Sequence, residues 1–389
     1  MPSSGPPSAG SVLALLRDGR PRTRAELAAL TGLARSTVAQ RIDALIAGGL
    51  ISEVGGGVST GGRPPVRFAF NPLARVALAA DIGATHALLA VTDLSGTVLA
   101  ETRRDLDIAL GPEAVLGWVA DSSAKLLGEV GRRPRDVLGI GVGLPGPVEY
   151  ATGRPVSPPI MPGWDGFEVR DFLYGRLGVP AMADNDVNVM ALGEYFARWS
   201  DVDNLVFVKV ATGIGCGLIS NGRLHRGAQG AAGDFGHIRV SGAAETVCRC
   251  GNTGCLEAVA GGAAVAARLR ALGVEAASSR DVVRLATGGS REAVDLLRQA
   301  GREIGQGLAA AVSLLNPSVV VVGGTLAGAG EHLIAGVREI VYQRSLPLAT
   351  QHLQIAHART GERAGVIGAA VMVLEHALSA ERVDDLINS

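Results

Sequence analysis

Val76-Ala-Leu-Ala-Ala-Asp-Ile-Gly-Ala-Thr85 begins as an apolar run and ends in a carboxylate, a glycine and a threonine. Its apolar start reads as a buried strand, and Asp81-Ile-Gly-Ala-Thr85 as the turn that ends it. His86–Asp93 is apolar again and returns, and Ser95-Gly96 turns the chain into a third strand over residues 97–101. The same plan recurs later. Residues 204–210 form a strand and Ala211-Thr-Gly-Ile-Gly-Cys-Gly217 a Gly-rich turn; Leu218-Ile219 returns, Asn221-Gly222 turns, and residues 223–226 continue. Two copies of strand, turn, strand, turn, strand predict a duplicated α/β domain with paired loops facing each other across a cleft. Such loops expose consecutive backbone N–H groups able to cradle phosphate. One Gly-rich turn often merely connects strands; the pair points to nucleotide-binding ancestry.

Between the copies, Gly139-Ile-Gly-Val-Gly-Leu-Pro-Gly-Pro147 reads as a strand entering a constrained loop. Asp184-Asn-Asp-Val-Asn188 follows a strand end and opens a helix over residues 189–199. Two readings stand for it. Asp and Asn are favoured helix N-caps in solvated turns. Alternatively, Asp186 is a general base that takes a proton from a sugar hydroxyl, with Asn185 hydrogen-bonding another.

His237 precedes Cys248-Arg-Cys-Gly-Asn-Thr-Gly-Cys255, and the chain has 4 cysteines in all. Three thiolates and an imidazole satisfy a closed structural zinc site. Reduced, buried thiols beside an unrelated histidine are the plainer alternative. Clustering of scarce cysteines favours metal, with Cys216 left as a packing thiol.

N-terminal to all this lies a smaller unit, residues 11–70. Ser11-Val-Leu-Ala-Leu-Leu16 reads as a short helix, Arg24-Ala-Glu-Leu-Ala-Ala-Leu30 as a second, and Thr31-Gly32-Leu33 as a tight turn. A third helix runs from Arg35 to Ala47, with Val38, Ile42, Leu45 and Ile46 at helical spacing as its buried stripe. Arg35, Ser36, Thr37, Gln40 and Arg41 occupy the other face, where side chains reach phosphates and base edges from the major groove. Gly48-Gly49 stops the helix, and Leu50-Ile-Ser-Glu-Val54 and Pro65-Val-Arg-Phe-Ala-Phe70 bracket a Gly-rich wing. Within it, Gly61-Gly62-Arg63-Pro64 places Arg63 in a minor groove or is a plain linker. A solvated three-helix packing module is the bland alternative; the turn, the polar third helix and the wing together favour DNA binding.

Charge agrees. The net charge is −1 over 389 residues, but residues 1–70 hold eight arginines against four acidic residues, a balance of +4, leaving −5 for the remainder. A basic head on an acidic body is expected where only the head meets nucleic acid. With 47 % hydrophobic and 19 % charged residues the chain should fold as two or three units, after a Pro-rich tail at residues 1–10 read as disordered. That start lacks the pattern of a secretory leader, and no apolar run is long enough to span a bilayer, so a cytoplasmic protein without membrane partners is expected.

Taken in order, Asp81-Ile-Gly-Ala-Thr85, Leu144-Pro-Gly-Pro147, Asp184-Asn-Asp-Val-Asn188, Ala211-Thr-Gly-Ile-Gly-Cys-Gly217, Gly233-Asp-Phe-Gly-His237 and Cys248…Cys255-Leu-Glu257 resemble the ROK family of repressors, uncharacterised frames and sugar kinases. The match spans nearly all of residues 76–375, and the head resembles that of the family's repressor branch. The resemblance implies an α/β, actin-like (ribonuclease H-like) two-lobed fold behind an N-terminal winged helix. One lobe would cover about 76–190, the other about 200–360, within a domain at 71–389, with a helix at 363–377 crossing back to the first lobe. Homodimers or homotetramers are also implied. Carried over, Gly146, Asn185, Asp186, Asp234, His237 and Glu257 contact a sugar, and His237, Cys248, Cys250 and Cys255 bind zinc. His237 serves both roles if one ring nitrogen takes the metal and the other N–H faces the sugar.

The nucleotide positions implied are Asp81, Gly83, Thr85, Thr212, Gly213, Gly215, Gly323 and Gly324, with Asp81 facing metal and phosphate and Asp186 the catalytic base. Several neighbours depart from the kinase pattern Asp-x-Gly-Gly-Thr-Lys: Ala84 replaces its second glycine, His86 its lysine, and Ala211 the glycine that opens the second loop. Asp234 stands where Glu is usual, and Ile160 where kinases often have Asn. A methyl obstructs phosphate approach, and loss of a cation removes charge stabilisation. The expectation is a regulator that binds operator DNA and responds to a sugar or sugar phosphate. The alternative is a hexose kinase using ATP and Mg2+ that keeps a DNA-binding head; a domain kept only for oligomerisation is a third.

Overall fold

The computed structural model describes residues 8–55, 65–240 and 245–388. Two five-stranded sheets of identical plan form the body. In the first, Val76–Ile82 runs antiparallel to His86–Asp93, which pairs with Val98–Asp105; on the other side it lies parallel to Val137–Leu144, then Ala181–Asn185. In the second, Leu205–Val210 is antiparallel to Ile214–Ser220, which pairs with Arg223–Leu224, and parallel to Val319–Gly323, then Gln354–His357. The duplication read from the two Gly/Thr turns is thus a duplication of whole sheets.

Period-2 alternation decides what covers each face. Leu78, Ala80 and Ile82 point to a core closed by Val115, Leu116 and Val119 of the helix Pro112–Glu129. Ala79, on the opposite face, packs on Val366, Ala369 and Ala370 of the helix Ala364–Ala377, and on Val189. In the second sheet Val206, Val208, Val320 and Val322 face the helices Arg291–Leu315 and Glu331–Arg344. Leu205, Phe207, Val319 and Val321 face Val187, Met190 and Ala191 of the helix Asp186–Arg198. Two helices, Asp186–Arg198 and Ala364–Ala377, therefore lie where the lobes meet. Glu194, fully buried, fastens that junction by accepting from the amides of Arg359 (2.8 Å) and Thr360 (2.9 Å).

The head follows its sequence pattern closely. Ala9–Leu16, Arg24–Thr31 and Arg35–Ala47 are helices, and Thr23 and Glu26 form a capping box on the second. Gly32, at φ +71°, ends that helix in the left-handed conformation that glycine adopts without steric cost. Val38, Ile42 and Leu45 are buried, whereas Ile46 is only half-buried. Ile51–Val54 and Arg67–Phe70 pair as the wing, and a short strand, Arg22–Thr23, joins them.

Several expected boundaries shift. The first helix starts at Ala9, inside the segment read as tail, because Ser8 caps it. The third strand reaches Asp105, beyond residue 101. The helix expected from residue 189 starts at Asp186, and the crossing helix starts at Ala364. In the second copy the turn is only Ala211–Gly213, since Val210 already pairs with Ile214.

The chain's last helix, Ala380–Asn388, packs on the head. Val373, Leu374, Leu378 and Val383 share one core with Leu13, Leu16, Ile42 and Phe68. Ser8 Oγ donates to the Ala380 carbonyl (2.8 Å), and the Ala9 amide to Asp384 Oδ1 (2.9 Å). Among the described residues no single helix is long and apolar enough to cross a membrane; one bent pair at the C-terminal end passes on length and composition.

Candidate functional site: an interlobe cleft beside a His/Cys cluster

A cleft of about 1510 Å³ opens between the sheets. Every residue proposed from sequence for sugar or nucleotide lines it: Asp81, Gly83, Thr85, Gly146, Asn185, Asp186, Thr212, Gly213, Gly215, Asp234, His237, Glu257, Gly323 and Gly324. Ala84, His86, Ala211 and Ile160 line it too.

The first loop is tightly closed. The Gly83 amide donates to the His86 carbonyl (2.8 Å), and the His86 ring lies over Gly83, where a Cβ would stand 2.6 Å from Cε1. The imidazole thus covers backbone that a phosphate would approach. Burial, with help from Lys209 and Arg103, lowers its pKa, so it is neutral at pH 7. Asp81 projects toward the N-terminus of the crossing helix, against Gly365, where a Cβ would fall 2.1 Å from its carboxylate. Burial pushes the Asp81 carboxyl up to about 7; Lys209 opposes this and Asp186 adds to it.

The polar segment opening the interlobe helix divides its work. Asn185 is the N-cap: Oδ1 accepts from the amides of Val187 (2.9 Å) and Asn188 (3.2 Å), and Nδ2 donates to the Gly146 carbonyl (2.9 Å). Both readings of this segment therefore meet at one residue, since the cap also anchors a loop on the cleft wall. Asp184, fully buried, pairs with Arg226 Nε (2.7 Å) and accepts from Asn188 Nδ2 (3.0 Å); the Arg226 guanidinium also stacks 3.6 Å from the Tyr150 ring centroid. This ties the last strand of the first lobe to the second lobe. Asp186 faces the cleft and meets Lys209 Nζ at 2.5 Å.

Glu257 supports the second loop: its Oε2 accepts from the Ile214 amide (3.0 Å). Gly215 lies in the return strand against Val187, where a Cβ would be 2.6 Å from the valine methyl. Its missing side chain serves strand–helix packing as well as the cleft. Cys216 is a buried free thiol, its pKa pushed up to about 12 by burial, consistent with a packing role.

The ligand atoms of His237, Cys248, Cys250 and Cys255 lie within 4.8 Å of one another. His237 Nδ1 is 3.7 Å from Cys248 Sγ, and Cys250 Sγ is 3.7 Å from Cys255 Sγ. A tetrahedron built with Zn–S bonds of ~2.3 Å has edges of about 3.8 Å, so the cluster fits that ion. Among the described residues around it, the bridges Arg239↔Cys255 and Val247↔Thr253 pair the chain on either side of the thiols. His237 Nε2 is left facing Asp234 Oδ1 at 3.9 Å, on the cleft side. The ring thus turns Nδ1 to the thiols and Nε2 to the cleft.

On the head, Arg35, Ser36 and Gln40 are exposed and Thr37 and Arg41 half-exposed on one face of the third helix, while Arg63 lies outside the described residues. Among the described residues no side chain caps that helix, which leaves its first amides to an acceptor. Lys209, Arg103 and Arg280 also line the cleft and were not anticipated. Only the position of Lys209 just before the second loop signals it.

Comparison with known proteins agrees with this geometry. Residues 77–376 match the ROK family and residues 11–52 a winged helix-turn-helix DNA-binding family. The xylose repressor of Caldicellulosiruptor bescii is 30 % identical over 382 residues, covering 95 % of each chain. A ROK family transcriptional regulator of known structure, a homologue of the E. coli MLC protein, superposes with a TM-score of 0.83 at 28 % identity over 98 % of each chain. A ROK glucokinase from Streptomyces griseus, in complex with glucose and AMPPNP, superposes with a TM-score of 0.65 at 29 % identity over 76 % of this chain and 98 % of its own. Full-length coverage by repressors, against body-only coverage by the kinase, mirrors the division into head and body. The chain belongs to the ROK family and carries an N-terminal winged helix-turn-helix.

Proposed function

We propose that the protein is a sugar-responsive transcriptional regulator, most simply a repressor, that binds operator DNA through Arg35, Ser36, Thr37, Gln40 and Arg41. A sugar or sugar phosphate occupies the cleft among Gly146, Asn185, Asp186, Asp234, His237 and Glu257. The observation that carries this reading is the shared core of head and body. The helix that meets Asp81 at Gly365 continues to Val373 and Leu374, which are buried against the head. A ligand that binds one lobe arrangement better shifts this helix's equilibrium, and with it the head. Zinc would be held by His237, Cys248, Cys250 and Cys255. It would supply structural cross-linking, fixing the cysteine loop and the His237 ring. A homodimer or homotetramer, presenting paired heads to paired half-sites, belongs to the same reading.

Retention of Asp81 and Asp186 favours a second reading, a hexose kinase using ATP and Mg2+. The closed first loop under the His86 ring opposes it. The deciding experiment combines a thermal-shift screen of monosaccharides and their phosphates with a coupled ATP-consumption assay and operator binding. Sugar-dependent change in operator affinity without ATP turnover is expected. Turnover abolished by Asp186→Asn would overturn the sensor reading.

A further inference from the structure

Lys209 leaves the strand Leu205–Val210 two residues before the second loop and places Nζ 2.5 Å from Asp186 Oδ2. The lysine side chain is 20 % exposed and that of Asp186 5 %. The same ammonium acts on Asp81, and attraction to the two carboxylates outweighs burial, so its own pKa is raised and it stays charged. In a chain with 36 basic residues, only Lys125 and Lys209 are lysine. A compact ammonium on a thin stem fits against the Asp186 carboxylate, on a cleft wall that Asp81 shares, where a planar guanidinium is far larger.

Asp81 and Asp186 are the carboxylates that phosphoryl transfer would need for a divalent ion and a base. Magnesium is held through carboxylates and phosphate oxygens, and a second cation here meets a positive charge already in place. The residues present do not fit a metal–nucleotide complex.

We propose that Lys209 is a built-in counter-ion standing where a phosphoryl-transfer site holds its divalent cation, denying Asp81 and Asp186 to metal and leaving Asp186 a fixed acceptor for a ligand hydroxyl. The inference rests on the sensor reading and supplies its cause. It also requires that ligand binding in the cleft of the zinc-loaded protein be independent of added Mg2+ or Mn2+.

Mn2+ is the probe, with zinc-loaded full-length protein. By electron paramagnetic resonance the wild type should leave free Mn2+ undiminished at millimolar concentration. Lys209→Met, which keeps length and removes charge, should gain a site at least about tenfold tighter, lost again in Lys209→Met/Asp81→Asn. A folded Lys209→Met, with zinc content and melting temperature retained, that gains no Mn2+ overturns the proposal. A second arm needs no cleft variant. With two lysines, [13C]lysine labelling gives two signals, and Lys125→Arg identifies the exposed one. The Lys209 signal should remain sharp with Mn2+; Mn2+-dependent broadening overturns the proposal whether or not Lys209→Met folds. ATP turnover by the wild type would sink the sensor reading itself. Metal bound beside Lys209 without turnover sinks only the role given to Lys209.

Discussion

Gly10→Ala adds one methyl where the first helix of the head crosses the last helix of the chain. Placed there, the new carbon lies 2.4 Å from Ala380 Cα and 2.5 Å from its carbonyl oxygen. Both contacts are with backbone, so the helices must part. Parting strains two hydrogen bonds, Ser8 Oγ to Ala380 O at 2.8 Å and Ala9 N to Asp384 Oδ1 at 2.9 Å. Overpacking costs about 1–3 kcal/mol and each lost bond about 0.5–1.5 kcal/mol. The better helix propensity of alanine returns about 1 kcal/mol. The net is about 3 kcal/mol against docking of Ala380–Asn388, or roughly a 150-fold rise in its opening equilibrium. Hydrogen exchange reads this directly from the amides of the last helix. Gly128→Ala is the matched control: it lies in a helix with open space around the new carbon, and should stabilise by about 0.5–1 kcal/mol. Operator affinity should fall in Gly10→Ala while ligand-induced stabilisation of the body persists. Unchanged exchange together with unchanged operator affinity would refute the claim that head and body are joined through this contact.

Three further outcomes follow from the geometry. Cys250→Ser, or chelation, should remove one zinc per chain by elemental analysis and abolish the sugar-induced thermal shift, because His237 loses its orientation; a full shift in the metal-free variant would dissociate the cluster from the cleft. Gln40→Ala and Arg41→Ala should each cost about 1–3 kcal/mol if they contact a base, with relaxed sequence preference, or weaken all sequences alike and lower the salt dependence if they contact phosphate; no change in either quantity removes them from the interface. Asp81→Asn tests burial of the carboxyl. Its folded-state pKa is raised from 3.8 to about 7, so the stability it contributes is present below pH ~4 and lost as pH rises through about 7. The variant should therefore gain on the wild type by up to about 1.4 kcal/mol per pH unit over that window and level off above it, as read by denaturant melts; a difference independent of pH would show that Asp81 stays ionised throughout.

The readable parts of this chain are those whose cause is local. Gly32 and Gly48 bracket a helix whose buried positions repeat at its own period, and the run Val76–Ala80 needs no distant partner to be recognised as a strand. The gathering of His237, Cys248, Cys250 and Cys255 was legible because cysteine is otherwise so scarce. What stayed hidden depends on pairs far apart in sequence. Ser8 and Ala380, bonded across 372 positions, carry no shared local signal, so nothing in residues 380–388 announces that they complete the core of the head. Asn185 showed both a cap and a cleft residue in its chemistry, but only the place of Gly146 reveals that one side chain does both. Lys209 is the sharpest case. In Leu205-Val-Phe-Val-Lys209 the alternation puts the lysine on the face of Leu205 and Phe207, so the pattern alone makes it an oddly charged member of an apolar face. Its reason appears once the helix Asp186–Arg198 crosses that face and brings Asp186 to the ammonium. A charge that looks misplaced along a strand is then half of an ion pair whose other half another strand–helix unit supplies.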